Sequence, residues 1–194
     1  MSIKEINGIK YVDVDLSANI QKLLDNAADA KEERKIALEY ILEKLRGEYR
    51  TSDGRLVVIS VLGAKKITSG AAPLIKLRTA PHLAELIESG RFSDLIDAEP
   101  KKHDRFKQFA FYDVIFKIGD NWYGGVLNIG ILKNNESRLY DLNPFEKIEK
   151  AESPNWVSKR PAKNHSTWGN GSASPEISES ATAPKTAHGL TPTT

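Results

Sequence analysis

Gln108-Phe109-Ala110-Phe111-Tyr112-Asp113-Val114-Ile115-Phe116-Lys117-Ile118 is the stretch that decides the fold of this chain. Aromatic and β-branched residues fill it, the composition of a strand covered on most of its surface. Gly119-Asp120-Asn121 then signals a turn, and the chain returns through Trp122 to Lys133. Asn134-Asn135-Glu136 turns it once more, into Arg138 to Leu142. Three strands joined by short turns predict an antiparallel meander.

Upstream of the meander the pattern is mixed. Lys10 to Leu16 alternates and reads as a short strand. Asp29 to Arg46 sets Leu38, Ile41, Leu42 and Leu45 on one helical stripe, with charged residues over most of the rest. Ser52-Asp53-Gly54-Arg55 is a turn between two extended runs, Glu48 to Thr51 and Leu56 to Leu62. Gly63 to Gly70 reads as a loop carrying two adjacent lysines. Pro81 suits the first turn of a helix that buries Leu83, Leu86 and Ile87 and ends at Gly90. The expected fold is therefore α+β: an N-terminal strand and helices, followed by a three-to-four-stranded antiparallel meander.

Composition narrows the function classes. The chain has 194 residues, 40% hydrophobic and 28% charged, with a formal net charge of +2. That charge is too small to argue for nucleic acid or anionic membrane as a whole-chain property. The absence of cysteine excludes disulfides, thiolate zinc sites and cysteine nucleophiles, and it fits a cytoplasmic location. No run reaches the ~18 apolar residues of a membrane span, so a soluble protein without a membrane partner is expected. Near Lys150 the composition shifts. Residues 1–150 read as one domain, and residues 151–194, rich in Pro, Ser, Thr and Ala, read as a disordered tail.

Several short tags follow one another in a telling order. Glu43-Lys44-Leu45-Arg46-Gly47 leads to Thr51-Ser52-Asp53-Gly54-Arg55, then to Gly63-Ala64-Lys65-Lys66 and Leu83-Ala84-Glu85-Leu86-Ile87. Phe111 to Gly119, Trp122 to Ile129 and Leu139-Tyr140-Asp141-Leu142 complete the series. This order resembles the domains associated with large polyvalent proteins of phages and conjugative elements. Their sheet is similar to that of the barnase–EndoU–colicin–RelE-like RNases. The resemblance spans about residues 8–148. It implies a mobile-element domain acting as a metal-independent endoribonuclease through acid–base side chains and a basic phosphate-binding patch. The alternative it leaves open is a non-catalytic module that binds nucleic acid or protein.

The side chains for such chemistry are present. From Gly63 to Lys107 nine Lys or Arg face six Asp or Glu, so this stretch carries more positive charge than the whole chain. Within it Lys65, Lys66, Lys76 and Arg105 are the candidate substrate contacts, joined by Tyr140 on the last strand of the meander. His103 is the candidate general acid or base, with Lys107 or Tyr112 assisting and His82 as a second histidine. Each also has a structural reading: solvated loop lysines, an exposed linker histidine, core aromatics. Asp113 and Asp141 lie on apolar strands, where a carboxylate requires a partner, and a nearby Lys or Arg is the expected one. The four histidines lack ligand spacing, so no metal site is expected. No P-loop or dinucleotide fingerprint is present, so no cofactor is expected. RNA is the expected partner, with an immunity or phage protein as the alternative. Oligomeric state is not legible.

Overall fold

The computed structural model describes residues 2–69, 72–99, 103–143 and 146–149. The expected tail of residues 151–194, and Lys101 and Lys102 of the basic stretch, lie outside them.

The meander strands form the centre. β6 (Phe106–Ile118) and β7 (Asn121–Leu132) pair antiparallel along their whole length, and β8 (Ser137–Leu142) pairs antiparallel with β7. The sheet around them is larger than the expected three or four strands. Among the described residues it has nine, in the order β1-β2-β6-β7-β8-β4-β3, with β5 also on β6 and β9 also on β7. The additional strands are β1 (Ile3–Ile6), β2 (Ile9–Val14), β3 (Gly47–Arg50), β4 (Leu56–Ile59), β5 (Arg91–Asp97) and β9 (Glu146–Ile148). Two contacts are parallel, β2 on β6 and β4 on β8. Sequence periodicity finds β2 and the extended runs of β3 and β4 but misses β1, β5 and β9, which are ordered by pairing with β2, β6 and β7. Helices and a mainly antiparallel sheet make the fold α+β.

Among the described residues five short α-helices fill the inside of the sheet: α1 (Asn19–Asp25), α2 (Ala30–Tyr40), α3 (Val61–Thr68), α4 (Leu74–Thr79) and α5 (Leu83–Ser89). α2 starts where Asp29 accepts hydrogen bonds from the Lys31 and Glu32 amides, satisfying two of the donors that every helix start exposes. It continues through one wide turn, Ile41–Leu45, and Gly47 is already in β3. α5 is central, with Leu83, Leu86 and Ile87 fully buried. The sheet curls around this layer. Two strands, β7 and β8, separate β6 from the β3–β4 hairpin in this order, yet the Tyr112 hydroxyl meets its turn at Arg55 Nε (3.0 Å) and Asp53 Oδ1 (3.1 Å).

One element departs from its expected form. The stretch read as a loop from Gly63 is helix α3, capped by Ser60, whose hydroxyl accepts from the Gly63 amide at 3.2 Å. Gly63, a turn signal in isolation, serves close packing here. A Cβ on it would stand 2.2 Å from the Leu139 carbonyl oxygen, so only glycine lets α3 lie this close to β8. The preceding strand accordingly stops at Ile59, and Leu62 is exposed. No helix among the described residues is long and apolar enough to cross a membrane.

Candidate functional site

Alternation along β6 divides its side chains between two faces. Ala110, Tyr112, Val114 and Phe116 join the helix-filled core. Phe109 and Phe111 form a smaller cluster with Val126, bordered by Ile96, Ala98, Phe106 and Tyr140. Tyr140 reaches it through an irregularity in the β7–β8 ladder. Asn128 pairs with Asp141 and Ile129 with Leu139, which leaves Tyr140 as the extra residue of a bulge. A second irregularity, at Lys107 between Phe106 and Gln108, lets Phe106 turn back over β7. Gly130 makes room for that ring, since a Cβ there would meet it at 2.3 Å.

The outcome is a cluster of four rings. His103 lies 5.0 Å from Phe109 and 5.9 Å from Tyr140 between centroids, both edge to face. Phe106 and Tyr140 are 5.4 Å apart, also edge to face. These are favourable quadrupole geometries. Lys66, from the last turn of α3, holds its ammonium 5.9 Å from the Tyr140 centroid. Burial, and then the charge of Asp141, push the Tyr140 phenol above its ordinary value, so it stays a hydrogen-bond donor. Arg105 and Lys107 are exposed on the segment that leads from His103 into β6.

Behind Tyr140 lies a buried ion pair. Lys76 Nζ, on α4, donates to Asp141 Oδ1 at 2.6 Å, and both side chains are about 6% exposed. Asp141 also accepts from the Leu142 amide at 2.8 Å and from Asn143 Nδ2 at 2.6 Å. Burial pushes the Lys76 ammonium below its ordinary value, Asp141 opposes this, and the charge of Lys66 adds to the fall. Lys76 therefore holds the bulge that carries Tyr140, and it is spoken for. Among the described residues, no group of three His, Asp or Glu side chains is arranged to hold a metal ion.

Residues 28–140 match the sequence profile of large polyvalent protein-associated domain 3. The chain belongs to that family. No curated protein and no solved structure matches it significantly. The matched span of this polyvalent protein-associated domain holds all four rings and Lys66, and it ends on Tyr140.

The domain does not gather all the candidate residues at one site. His103, Tyr140 and Lys66 come together, with Lys76 behind them; Lys65 is exposed on α3. Tyr112 is on the opposite face of β6, fully buried, with its hydroxyl bound by the β3–β4 turn. Burial raises its phenol above the ordinary value, against the opposing effect of Arg55. His82 stands at the start of α5, with Nδ1 3.8 Å from Glu85 Oε1. Sequence reasoning counts Phe109 only as part of the apolar strand and does not single out Phe106. Their only signal is that they precede and follow Lys107 beside a histidine. Of the strand carboxylates, Asp141 has the lysine partner expected, and Asp113 lies 3.9 Å from Arg91.

Proposed function

We propose that this domain serves a polyvalent protein of a phage or other mobile element by binding single-stranded RNA on the four-ring face. The observation that carries the reading is the meeting of His103, Phe106, Phe109 and Tyr140 with the Lys66 ammonium. Unpaired bases stack with about 1–3 kcal/mol each on part-exposed rings such as His103, Phe106 and Tyr140, which buried Phe109 backs. Lysine and arginine heads beside them neutralise phosphates, a contribution that fades with salt. Exposed Arg105 and Lys107 extend the cationic track. Cleavage of the bound RNA without a metal ion is the second reading. It is favoured by His103, a proton-transfer group on the same face as Lys66. It is weakened by Tyr112 and His82 lying elsewhere, which leaves Lys107 as the remaining partner of His103 from the expected set.

The test uses the purified full chain with labelled single-stranded RNA of about twelve nucleotides, DNA of the same sequence, and duplex RNA, all in EDTA. Binding is expected for the single strand, weakening as salt rises from roughly 50 to 200 mM. Tyr140→Ala and Lys66→Ala are each expected to weaken it about tenfold. Recovery of intact RNA assigns binding alone, and cleavage lost in His103→Ala assigns a nuclease. No binding to any of the three overturns the reading and returns attention to a protein partner.

A further inference from the structure

We infer that β3 is a self-pairing edge, on which two copies of this chain join antiparallel into one continuous sheet. β3 closes the strand order, and among the described residues no strand lies on its outer side. Gly47, Glu48 and Arg50 are exposed, and Tyr49 is half-buried. The turn shows which main-chain groups face outward. The Thr51 amide donates to the Arg55 carbonyl at 2.9 Å, so Thr51 is bonded toward β4. Alternation then turns Tyr49 and Gly47 toward β4 as well, and Glu48 and Arg50 direct their N–H and C=O groups away from it. Such a row of free groups is a template for a further strand.

Charge selects the occupant and its register. Glu48 lies opposite Val58 and Arg50 opposite Leu56, on the face away from the core residues Val57 and Ile59. Glu48 and Arg50 therefore stand side by side on one face. In an antiparallel pair of β3 strands, Glu48 of each copy can lie opposite Arg50 of the other. Both residues point their main chains at the partner, so each opposed pair exchanges two hydrogen bonds. The same two pairs bring opposite charges together at cross-strand distance. Tyr49 meets its own copy on the two-fold axis as an aromatic cross-strand pair. Arg50 already donates to the Gly54 carbonyl at 2.8 Å, which holds the guanidinium over this face and leaves further N–H groups free. The contact uses the same patch on both copies and closes at two.

Other registers and edges fit worse. A shift by two residues sets Glu48 against Glu48 and Arg46 against Arg50, like charges in each case. Setting Arg46 against Glu48 carries the second copy's Arg50 onto the wide turn Ile41–Leu45, where no strand continues. On β1 the Ser2 carbonyl accepts from the Asp13 amide, so Ile3 and Glu5 face outward, and self-pairing would put an apolar side chain against a carboxylate. β5 is interrupted by a register shift and carries Asp94 and Asp97, the features of a blunted edge.

The experiment is sedimentation velocity on the full chain from about 5 µM to 1 mM, a range that spans a small-interface dimer with Kd of about 0.1 mM. The unaltered chain is expected to shift from monomer to dimer across it. Glu48→Arg and Arg50→Glu, each alone, set like charges opposite and are expected to weaken the dimer at least tenfold. An equimolar mixture of the two variants restores both ion pairs, so dimer should return, as it should in the chain carrying both changes. Both positions are exposed, and unaltered melting of each variant separates lost pairing from lost folding. Amide exchange gives a readout on the unaltered chain: Glu48 and Arg50 amides should slow as concentration rises, whereas the Tyr49 amide, already turned to β4, should not change. A chain that stays monomeric at about 1 mM overturns the inference. So does a dimer indifferent to either single change, a mixture that remains monomeric, or exchange at Glu48 and Arg50 that ignores concentration.

Discussion

Replacing Lys76 by methionine tests whether the buried ion pair holds the bulge behind Tyr140. Methionine keeps the length and apolar stem of lysine and removes its charge. Asp141 then remains about 6% exposed without its cation. Breaking a buried pair in this way costs about 3–5 kcal/mol. The Leu142 amide and Asn143 Nδ2 still donate to the carboxylate, so the lower end applies, about 3 kcal/mol. Urea unfolding at neutral pH, followed by far-ultraviolet circular dichroism, measures this as a lower midpoint at unchanged slope. Pairing Lys76→Met with Asp141→Asn removes both charges, and the double variant should recover most of the loss. RNA affinity provides a separate readout, since Tyr140 moves if the bulge relaxes. A single-variant loss below about 1 kcal/mol would refute the reasoning, because it would class the pair with solvent-screened surface bridges. A double variant as unstable as the single one would refute it too.

Two further outcomes bear on the candidates that lie away from the ring cluster. Tyr112→Phe removes a hydroxyl bonded to Arg55 and Asp53, so it should cost about 1–2 kcal/mol in thermal or urea unfolding while leaving RNA binding within twofold. A tenfold functional loss at unchanged stability would instead return Tyr112 to the site. Glu85 is held at about 2 against an ordinary 4.5, chiefly by His82, with burial opposing and the Ser2 hydroxyl assisting. A depressed carboxyl contributes stability that is present above 4.5 and lost as pH falls toward 2. Its share is about 1–2 kcal/mol after allowance for partial exposure, and a Glu85→Gln chain should lack that part of the acid transition in a pH series of urea midpoints.

What is legible in the sequence is whatever has its cause nearby. The strand from Gln108 to Ile118 is carried by its own composition, and α2 by the Asp29 cap and an apolar stripe. The β3–β4 hairpin follows from Asp53-Gly54, and α5 from Pro81 and the spacing of Leu83, Leu86 and Ile87. The elements that escaped notice depend on distant partners. α3 reads as a loop because Gly63 and the adjacent lysines are turn signals until Leu139 is known to press against the glycine. β5 has no apolar alternation of its own, and its order comes from lying along β6.

The ring cluster is non-local in the same sense, which explains why His103 and Tyr140 are legible as candidates while their assembly with Phe106 and Phe109 is not. Strict alternation along β8 from Leu139, which faces the helices, puts Tyr140 on the opposite face and would return Asp141 to the helix side. The bulge keeps Tyr140 there as an unpaired residue, while Asp141 pairs across from Asn128 and still reaches Lys76. Phe106 arrives by the other irregularity and needs Gly130 beneath it. His103 comes from outside the strands altogether. Two breaks in register, one glycine and one buried ion pair therefore create the surface. Of these, periodicity can anticipate only the demand of Asp141 for a cation. That residue is the better guide to this face than any of the basic side chains: a charge placed on an apolar strand had to be answered by a neighbour, and Lys76 is both the answer and the support of Tyr140.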